Sequence, residues 1–362
     1  MSEHNYLEVE NLHVEFAGRR TLFSKPRPPV KAVNGVSFSI APGKTFGLVG
    51  ESGSGKSTIA RALLRLVSNK SGSIRVDGDE VTTFDTAREK KYRAQVQVVF
   101  QDPYSSLNPS HVVGEIVGEL ITQHQGIKSG PERNQLVGDL LEKVGLGRHF
   151  LERFPYELSG GQRQRVAIAR ALSVNPQMII CDEATSALDV SIQSQVINLL
   201  EEIQDSTGVS YLFIAHDLAV VRHISHDVGV LYLGYMVESG PAERVYENSA
   251  HPYTAMLHAA EPIPDPERQK KRTEVRRLYH IDAEPPSPAN LPPGCPFTNR
   301  CALVMDICHQ AMPDPTPIEG GGLARCHLHT SGPALNGKSV VPLLLESATP
   351  IKAKSNGGGH YA

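Results

Sequence analysis

What this chain of 362 residues lacks narrows its function before any motif is read. It has no excess of basic charge: 36 Lys and Arg against 39 Asp and Glu leave a net charge of −3, without the cationic footprint that nucleic-acid binding needs. No apolar run approaches the about 18 residues of a membrane-crossing helix, and the polar start Met1-Ser2-Glu3-His4-Asn5 does not read as a signal peptide. If the protein works at a membrane, partners must hold it there. No internal repeat is visible, so one functional module is expected rather than two fused copies, and the length suggests two domains at about 100 to 200 residues each.

What is present is a phosphate loop. The run Gly50-Glu51-Ser52-Gly53-Ser54-Gly55-Lys56-Ser57-Thr58 fits G-x-x-x-x-G-K-[ST] and follows a short apolar strand, Phe46 to Val49. Glycines let backbone N–H groups turn around phosphates, Lys56 can reach the β and γ oxygens, and the Ser57 hydroxyl can coordinate Mg²⁺. The helix that follows, carrying Ile59, Ala60, Leu63, Leu64 and Leu66, aims its positive end at the same anion. A nucleoside triphosphate with Mg²⁺ is the expected ligand.

Around this loop the chain alternates strand and helix patterns. Leu7, Val9, Leu12, Val14 and Phe16, then Val36, Phe38 and Ile40, alternate with polar neighbours as half-buried strands do, and Asp77-Gly78 supplies a hairpin turn, which together predict an antiparallel β subdomain. Val112, Val113, Ile116, Val117 and Leu120, then Leu136, Leu140, Leu141 and Val144, recur at helical spacing and predict a helical insertion. Asp189 is placed to cap a helix with the stripe Ile192, Val196, Leu199, Leu200 and Ile203, and Val209 to Ala215 reads as a buried strand. Strands alternating with helices imply a parallel core sheet whose ends bring the phosphate loop, Asp182-Glu183 and His216 together.

A second glycine turn, Leu158-Ser159-Gly160-Gly161-Gln162, opens a helix expected over Arg163 to Leu172, and the apolar run Met178-Ile179-Ile180-Cys181 closes on Asp182-Glu183. With Gln101 in Val98-Val99-Phe100-Gln101-Asp102, Ser186-Ala187-Leu188-Asp189, and His216 in Phe213-Ile214-Ala215-His216-Asp217, this order resembles the ATP-binding subunit of ABC transporters over about residues 7 to 260. The resemblance implies an α/β P-loop NTPase fold with a RecA-like parallel core sheet, an antiparallel β subdomain, a helical subdomain at about 102–165 and an ATP-binding domain over 1–260. It also implies roles. Glu183 would polarise the attacking water, Asp182 would hold Mg²⁺ through a water, Gln101 would touch the metal and sense the γ-phosphate, and His216 would hydrogen-bond that phosphate. Phe16 would stack on adenine, with core packing the equal alternative, because the Pro- and Lys/Arg-rich insertion Arg19 to Val30 blurs the register. The signature residues Ser159, Gly160, Gly161 and Gln162 would cap the nucleotide of a partner subunit, so hydrolysis is expected in a closed dimer.

Within that family, Phe100 to Pro109, His251-Pro252-Tyr253-Thr254, Pro286-Ser287-Pro288, Gly294-Cys295-Pro296-Phe297 and Arg300-Cys301 resemble the ATPases of bacterial dipeptide, oligopeptide and nickel importers. This implies a peripheral protein at the cytoplasmic face of the inner membrane. Its partners would be a second, related ATPase, two permease subunits and an external solute-binding protein. A soluble ABC ATPase of repair or translation and an exporter ATPase are the alternatives.

Cysteine is lopsided. Cys181 reads as a buried small side chain in its apolar strand, whereas Cys295, Cys301, Cys308 and Cys326 form C-x₅-C-x₆-C-x₁₇-C in a region set at 261–330. Clustered cysteines in a cytosolic chain point to metal more than to disulfides. Four thiolates suit zinc or an iron–sulfur cluster. Members of the importer family carry a [4Fe–4S] cluster at a C-terminal cysteine motif, which puts that cluster ahead of zinc and of bare thiols. His309, His327 and His329 could serve as substitute ligands, although adjacent histidines read first as solvated surface. Pro262 to Pro266 and the charged run Glu267 to Arg277 read as a hinge into this tail, and 331–362, with Gly357 to Gly359, as disordered.

Overall fold

The computed structural model describes residues 5–18, 28–102, 106–186, 188–261, 265–279, 284–331 and 335–348. Most of the insertion Arg19 to Val30, Pro103 to Ser105, Ala187, Pro262 to Pro264 and Gly357 to Gly359 therefore lie outside the described residues.

β1 (Leu7–Phe16) and β2 (Val30–Ile40) open an antiparallel sheet, β3 (Thr45–Val49) runs into the phosphate loop and α1 (Lys56–Leu63), and β4 (Ser71–Val76) and β5 (Asp79–Glu80) return to complete the order β2-β1-β4-β5. The turn between β4 and β5 is the expected Asp-Gly pair, with Asp77 at φ 53° and Gly78 at φ 82°, the handedness a two-residue hairpin requires. Then come α2 (Thr86–Gln95), β6 (Val96–Val99), and three helices of the helical insertion, α3 (Val113–Gln125), α4 (Pro131–Lys143) and α5 (Gly160–Leu172). β7 (Met178–Asp182), α6 (Val190–Thr207), β8 (Ser210–Ala215), α7 (Leu218–Ile224), β9 (Asp227–Tyr232) and β10 (Tyr235–Pro241) complete the core.

The large sheet has the order β11-β12-β10-β9-β3-β8-β7-β6, where β11 (Thr316–Pro317) and β12 (Leu323–Ala324) come from the far C-terminal part of the chain. β9, β3, β8, β7 and β6 run parallel, and β10, β12 and β11 add on antiparallel. Both faces are covered, so the strands read as continuous apolar runs. Successive side chains still alternate: Phe46, Leu48, Met178, Ile180, Leu212 and Ile214 pack with α1 and the β subdomain. Val49, Ile179, Cys181, Tyr211 and Phe213 face the opposite way, onto a core shared with the helical insertion and the C-terminal part.

Four expectations change. Leu66 lies beyond α1 and is exposed, because Arg65 at φ 56° ends the helical path. The signature helix α5 starts at Gly160, three residues earlier than expected, because Ser159 caps it. The charged run expected to be a hinge is α8 (Pro266–Arg277). Its Val275 and the following Tyr279 are buried, and the Tyr279 hydroxyl donates to the Pro252 carbonyl at 2.8 Å. Part of the segment expected to be disordered is α9 (Val341–Ala348), anchored by the buried Val340 and Leu344. Val341, Leu343 and Leu345 pack against the same core, and the surrounding Ser, Gly and Pro mask this short apolar run.

Candidate active site

The parallel register brings the expected groups to one edge. Val49 of β3 stands opposite Ala215 of β8, and Asp182 of β7 opposite Ile214, so Gly50, Glu183 and His216 all leave their strands at the carboxyl end of the sheet. A cavity of about 320 Å³ opens there, lined by Ser52 to Thr58, Gln101 and Glu183, with Val30 to Ala32, Leu233 and Pro288 as its other wall. A larger cleft of about 590 Å³, lined by Tyr6, Lys143, Asn175 and Gln177, lies at the opposite edge and has no phosphate loop.

The loop is held from within. Lys56 is 4 % exposed, and its Nζ donates to the carbonyl oxygens of Gly50 at 2.6 Å and Glu51 at 3.0 Å. Burial lowers its pKa, against the opposing pull of Glu183, Asp182 and Glu51. Gly55, which caps α1, sits at φ 109°, and a Cβ there would lie 2.4 Å from the Ala32 carbonyl oxygen, so no other residue fits. The Ser57 hydroxyl donates to Asp182 Oδ1 at 3.0 Å. Burial raises the Asp182 pKa, and this hydrogen bond opposes the rise. A hydroxyl and a carboxylate side by side are the hard oxygen donors that Mg²⁺ takes.

Glu183 has the left-handed φ of 50°, its amide donates to the Ile214 carbonyl at 3.0 Å, and its carboxylate lies 3.9 Å from Lys56 Nζ. Such an outlier persists only where neighbours over-determine it, and it turns the side chain into the cavity instead of along the strand. His216 is exposed beyond β8 and does not line the cavity. Nor does Phe16, which is 38 % exposed at the end of β1, although its β2 partner Val30 does.

The signature turn stands apart. Ser159, Gly160, Gly161 and Gln162 do not line the cavity. Ser159 Oγ accepts from the Gln162 amide at 3.3 Å while Gln162 Oε1 accepts from the Ser159 amide at 2.9 Å, a reciprocal cap that fixes the helix start. The buried Arg163 donates to the carbonyls of Pro155 at 2.8 Å and Leu158 at 2.5 Å, which locks the approach to the turn. Sequence reasoning passed over it. Asp189 caps α6 as expected, accepting from the Ile192 amide at 2.9 Å.

The four C-terminal cysteines line one small apolar cavity of about 20 Å³ with His327 and Phe297. Cys295, Cys308 and Cys326 are buried and Cys301 is partly so. Burial pushes the Cys295 thiol up to about 11 and that of Cys301 to about 12. Gly294 is required beside them, because a Cβ there would meet the Cys308 carbonyl oxygen at 2.1 Å. Among the described residues no three ligating side chains converge closely enough to hold an ion as they stand. His327 and His329 are not solvated, contrary to expectation: both are buried, bonded to the carbonyls of Ala311 at 2.9 Å and Ala250 at 2.8 Å.

A family profile described as ABC transporter matches residues 33–186, and one described as oligopeptide/dipeptide transporter, C-terminal region, matches 237–308. The chain is 43 % identical to a probable peptide ABC transporter ATP-binding protein of Sinorhizobium fredii, covering 97 % of each sequence. The chain belongs to the ABC transporter ATP-binding family. This ABC ATPase is also 45 % identical to the oligopeptide transport ATP-binding protein OppF of Escherichia coli, over 85 % of the chain and 91 % of OppF. Among solved structures, the ATP-binding cassette MJ0796, in its dimeric post-hydrolysis state with ADP and Pi, superposes with a TM-score of 0.57 at 28 % identity, over 65 % of this chain and 98 % of the other. The C-terminal profile starts within β10 and ends at Cys308, so Cys326 lies outside it. None of the helices among the described residues is long and apolar enough to cross a membrane.

Proposed function

We propose that this ABC ATPase hydrolyses ATP to drive uptake of peptides, or of small solutes handled by the same class of importer, through a membrane complex. The observation that carries this reading is the C-terminal match to the oligopeptide/dipeptide transporter region, joined to a phosphate site with the Ser57–Asp182 and Lys56–Glu183 pairs. Its partners would be two permeases, an external solute-binding protein and a second ATPase, with the pair seated at the cytoplasmic face of the inner membrane. In this reading Ser52 to Thr58 cradle the phosphates, Lys56 neutralises the β and γ oxygens, and Ser57, Gln101 and Asp182 hold Mg²⁺, which when bound screens the triphosphate charge. Glu183 orients and deprotonates the attacking water. His216, at the rim, reaches the γ-phosphate when the dimer closes. The signature residues Ser159 to Gln162, of which Ser159 and Gly160 are exposed, cap the partner's nucleotide. Their position outside the chain's own cavity supports that assignment in trans. Phe16 would stack on adenine only with a shift of β1, since it does not line the cavity.

Glu183→Gln tests the chemistry. It keeps shape and hydrogen bonding but removes the charge, so ATP affinity should stay near wild type while turnover falls by about 10² to 10⁴-fold, as loss of a positioned base does. Retention of more than a tenth of the rate by the reconstituted complex would move the base elsewhere.

We infer also that Cys295, Cys301, Cys308 and Cys326 hold a [4Fe–4S] cluster. The donor chemistry fits: four soft thiols ring one apolar cavity. A cluster requires about four iron and four sulfide per chain after anaerobic purification. Stoichiometric zinc would replace the cluster by a zinc site, and absence of both metals would end the proposal.

A further inference from the structure

The chemistry of nucleotide binding accounts for the loop but not for what grips it from 249 positions away in sequence. Arg300, one residue before Cys301, is 5 % exposed, and its two terminal nitrogens donate to the two carboxylate oxygens of Glu51 at 2.7 and 2.9 Å. A two-pronged guanidinium–carboxylate pair fixes direction as well as distance. Glu51 is the second residue of the phosphate loop. Its amide donates to the Tyr253 hydroxyl at 2.9 Å, and its carbonyl accepts from Lys56 Nζ. The side chain, amide and carbonyl of Glu51 are thus tied to three different elements, and one tie ends on the lysine that meets the phosphates.

Arg300 is itself held in place by the C-terminal module. Phe297 is fully buried in a box of Tyr232, Tyr253 and Tyr279, with ring centroids 5.3, 5.3 and 6.3 Å away. The Arg300 guanidinium lies 5.8 Å from the Phe297 ring centroid and 3.8 Å from the Met256 sulfur. The same module touches the site on its other side. The Pro288 carbonyl accepts from the Lys31 amide at 3.2 Å, and Pro288 lines the nucleotide cavity.

We propose that Arg300 is a positioning residue for ATP binding: through Glu51 it sets the phosphate loop and Lys56, so that the C-terminal module is a working part of the nucleotide site. The inference rests on the reading of the 320 Å³ cavity as the ATP site. A merely structural role for Arg300 would reduce the fraction of active protein and so lower kcat at unchanged KM. A positioning role raises KM.

The test is steady-state hydrolysis by the reconstituted complex at varied ATP, with titration of the full chain by a fluorescent ATP analogue in the presence of Mg²⁺. Arg300→Met and Glu51→Gln should each raise KM and the analogue's Kd by roughly tenfold, the scale expected for losing a charge-assisted pair, with kcat at saturating ATP within about threefold. Arg300→Lys should lose less. The neutral double variant Glu51→Gln/Arg300→Met should be no worse than either single change, since both remove one interaction. That double variant also covers failure of Arg300→Met to fold, because it leaves no unpaired buried charge. KM within twofold of wild type in Glu51→Gln and in the double variant, or losses that add, would overturn the inference. Lys56→Ala separates the two levels: a wild-type chain that binds no better than Lys56→Ala removes the ATP site itself, whereas normal binding by wild type and Arg300→Met alike removes only the role of Arg300.

Discussion

The chain contains two glycine-rich turns that each open a helix, and they differ in what surrounds the glycines. In the phosphate loop the backbone is closed in: Gly55 is pressed against the Ala32 carbonyl, Lys56 is buried, and the nearby residues Ser57, Asp182 and Glu183 form one site. In the signature turn Ser159 and Gly160 are exposed, and the local hydrogen bonds of Ser159 and Gln162 are satisfied by each other. One turn is built to enclose a ligand. The other is rigid and open, as suits a surface that meets a ligand carried by something else. Similar local sequence therefore yields a whole binding loop in one place and half of a binding site in the other, and the difference lies in the tertiary neighbours.

The comparison breaks most sharply at Ser159. Ser159→Arg should leave nucleotide binding by the mutated chain's own phosphate loop intact while hydrolysis at the partner's loop falls by about 10² or more, the cost of losing one preorganised donor. Counting trapped nucleotide per subunit in a dimer with one mutated chain decides it, and loss from the mutated chain's own loop would remove the distinction between the turns. Next in size is Gly55→Ala. A left-handed φ and a Cβ 2.4 Å from a carbonyl oxygen leave no relaxed conformation, so ATP affinity should drop by about tenfold to a hundredfold, matching strain of about 1–3 kcal/mol. Smallest is Gly160→Ala. The added methyl would meet only Leu188 Cδ2 at 3.6 Å, an ordinary contact, and ATP affinity of the isolated chain, read by the same titration, should stay within about twofold.

Much of this architecture is legible in the sequence where the signal is local. A phosphate loop after an apolar strand, a capping Asp189, an Asp-Gly hairpin and stripes at helical spacing each specify their own geometry within a few residues, and the parallel direction of the core strands follows once helices separate them, whereas their order does not. What stayed hidden depends on distant partners. Nothing around Arg300 announces Glu51, nothing near His329 announces the Ala250 carbonyl, and the charges of Glu267 to Arg277 conceal the buried Val275. His216 and Phe16 were read by position in a motif, and position alone does not say that a side chain faces the cavity.

β10 has one further consequence. Its outer edge is covered by a strand of two residues, with Glu238 paired to Ala324 and Ser239 to Leu323, and the Arg325 amide donating to the Val237 carbonyl at 2.8 Å. A chain cut anywhere before Leu323 would present that row of backbone donors and acceptors bare, at the rim of an otherwise finished sheet. Bare strand edges recruit other strands. The short C-terminal ribbon covers that edge through its backbone and not through any side chain it carries.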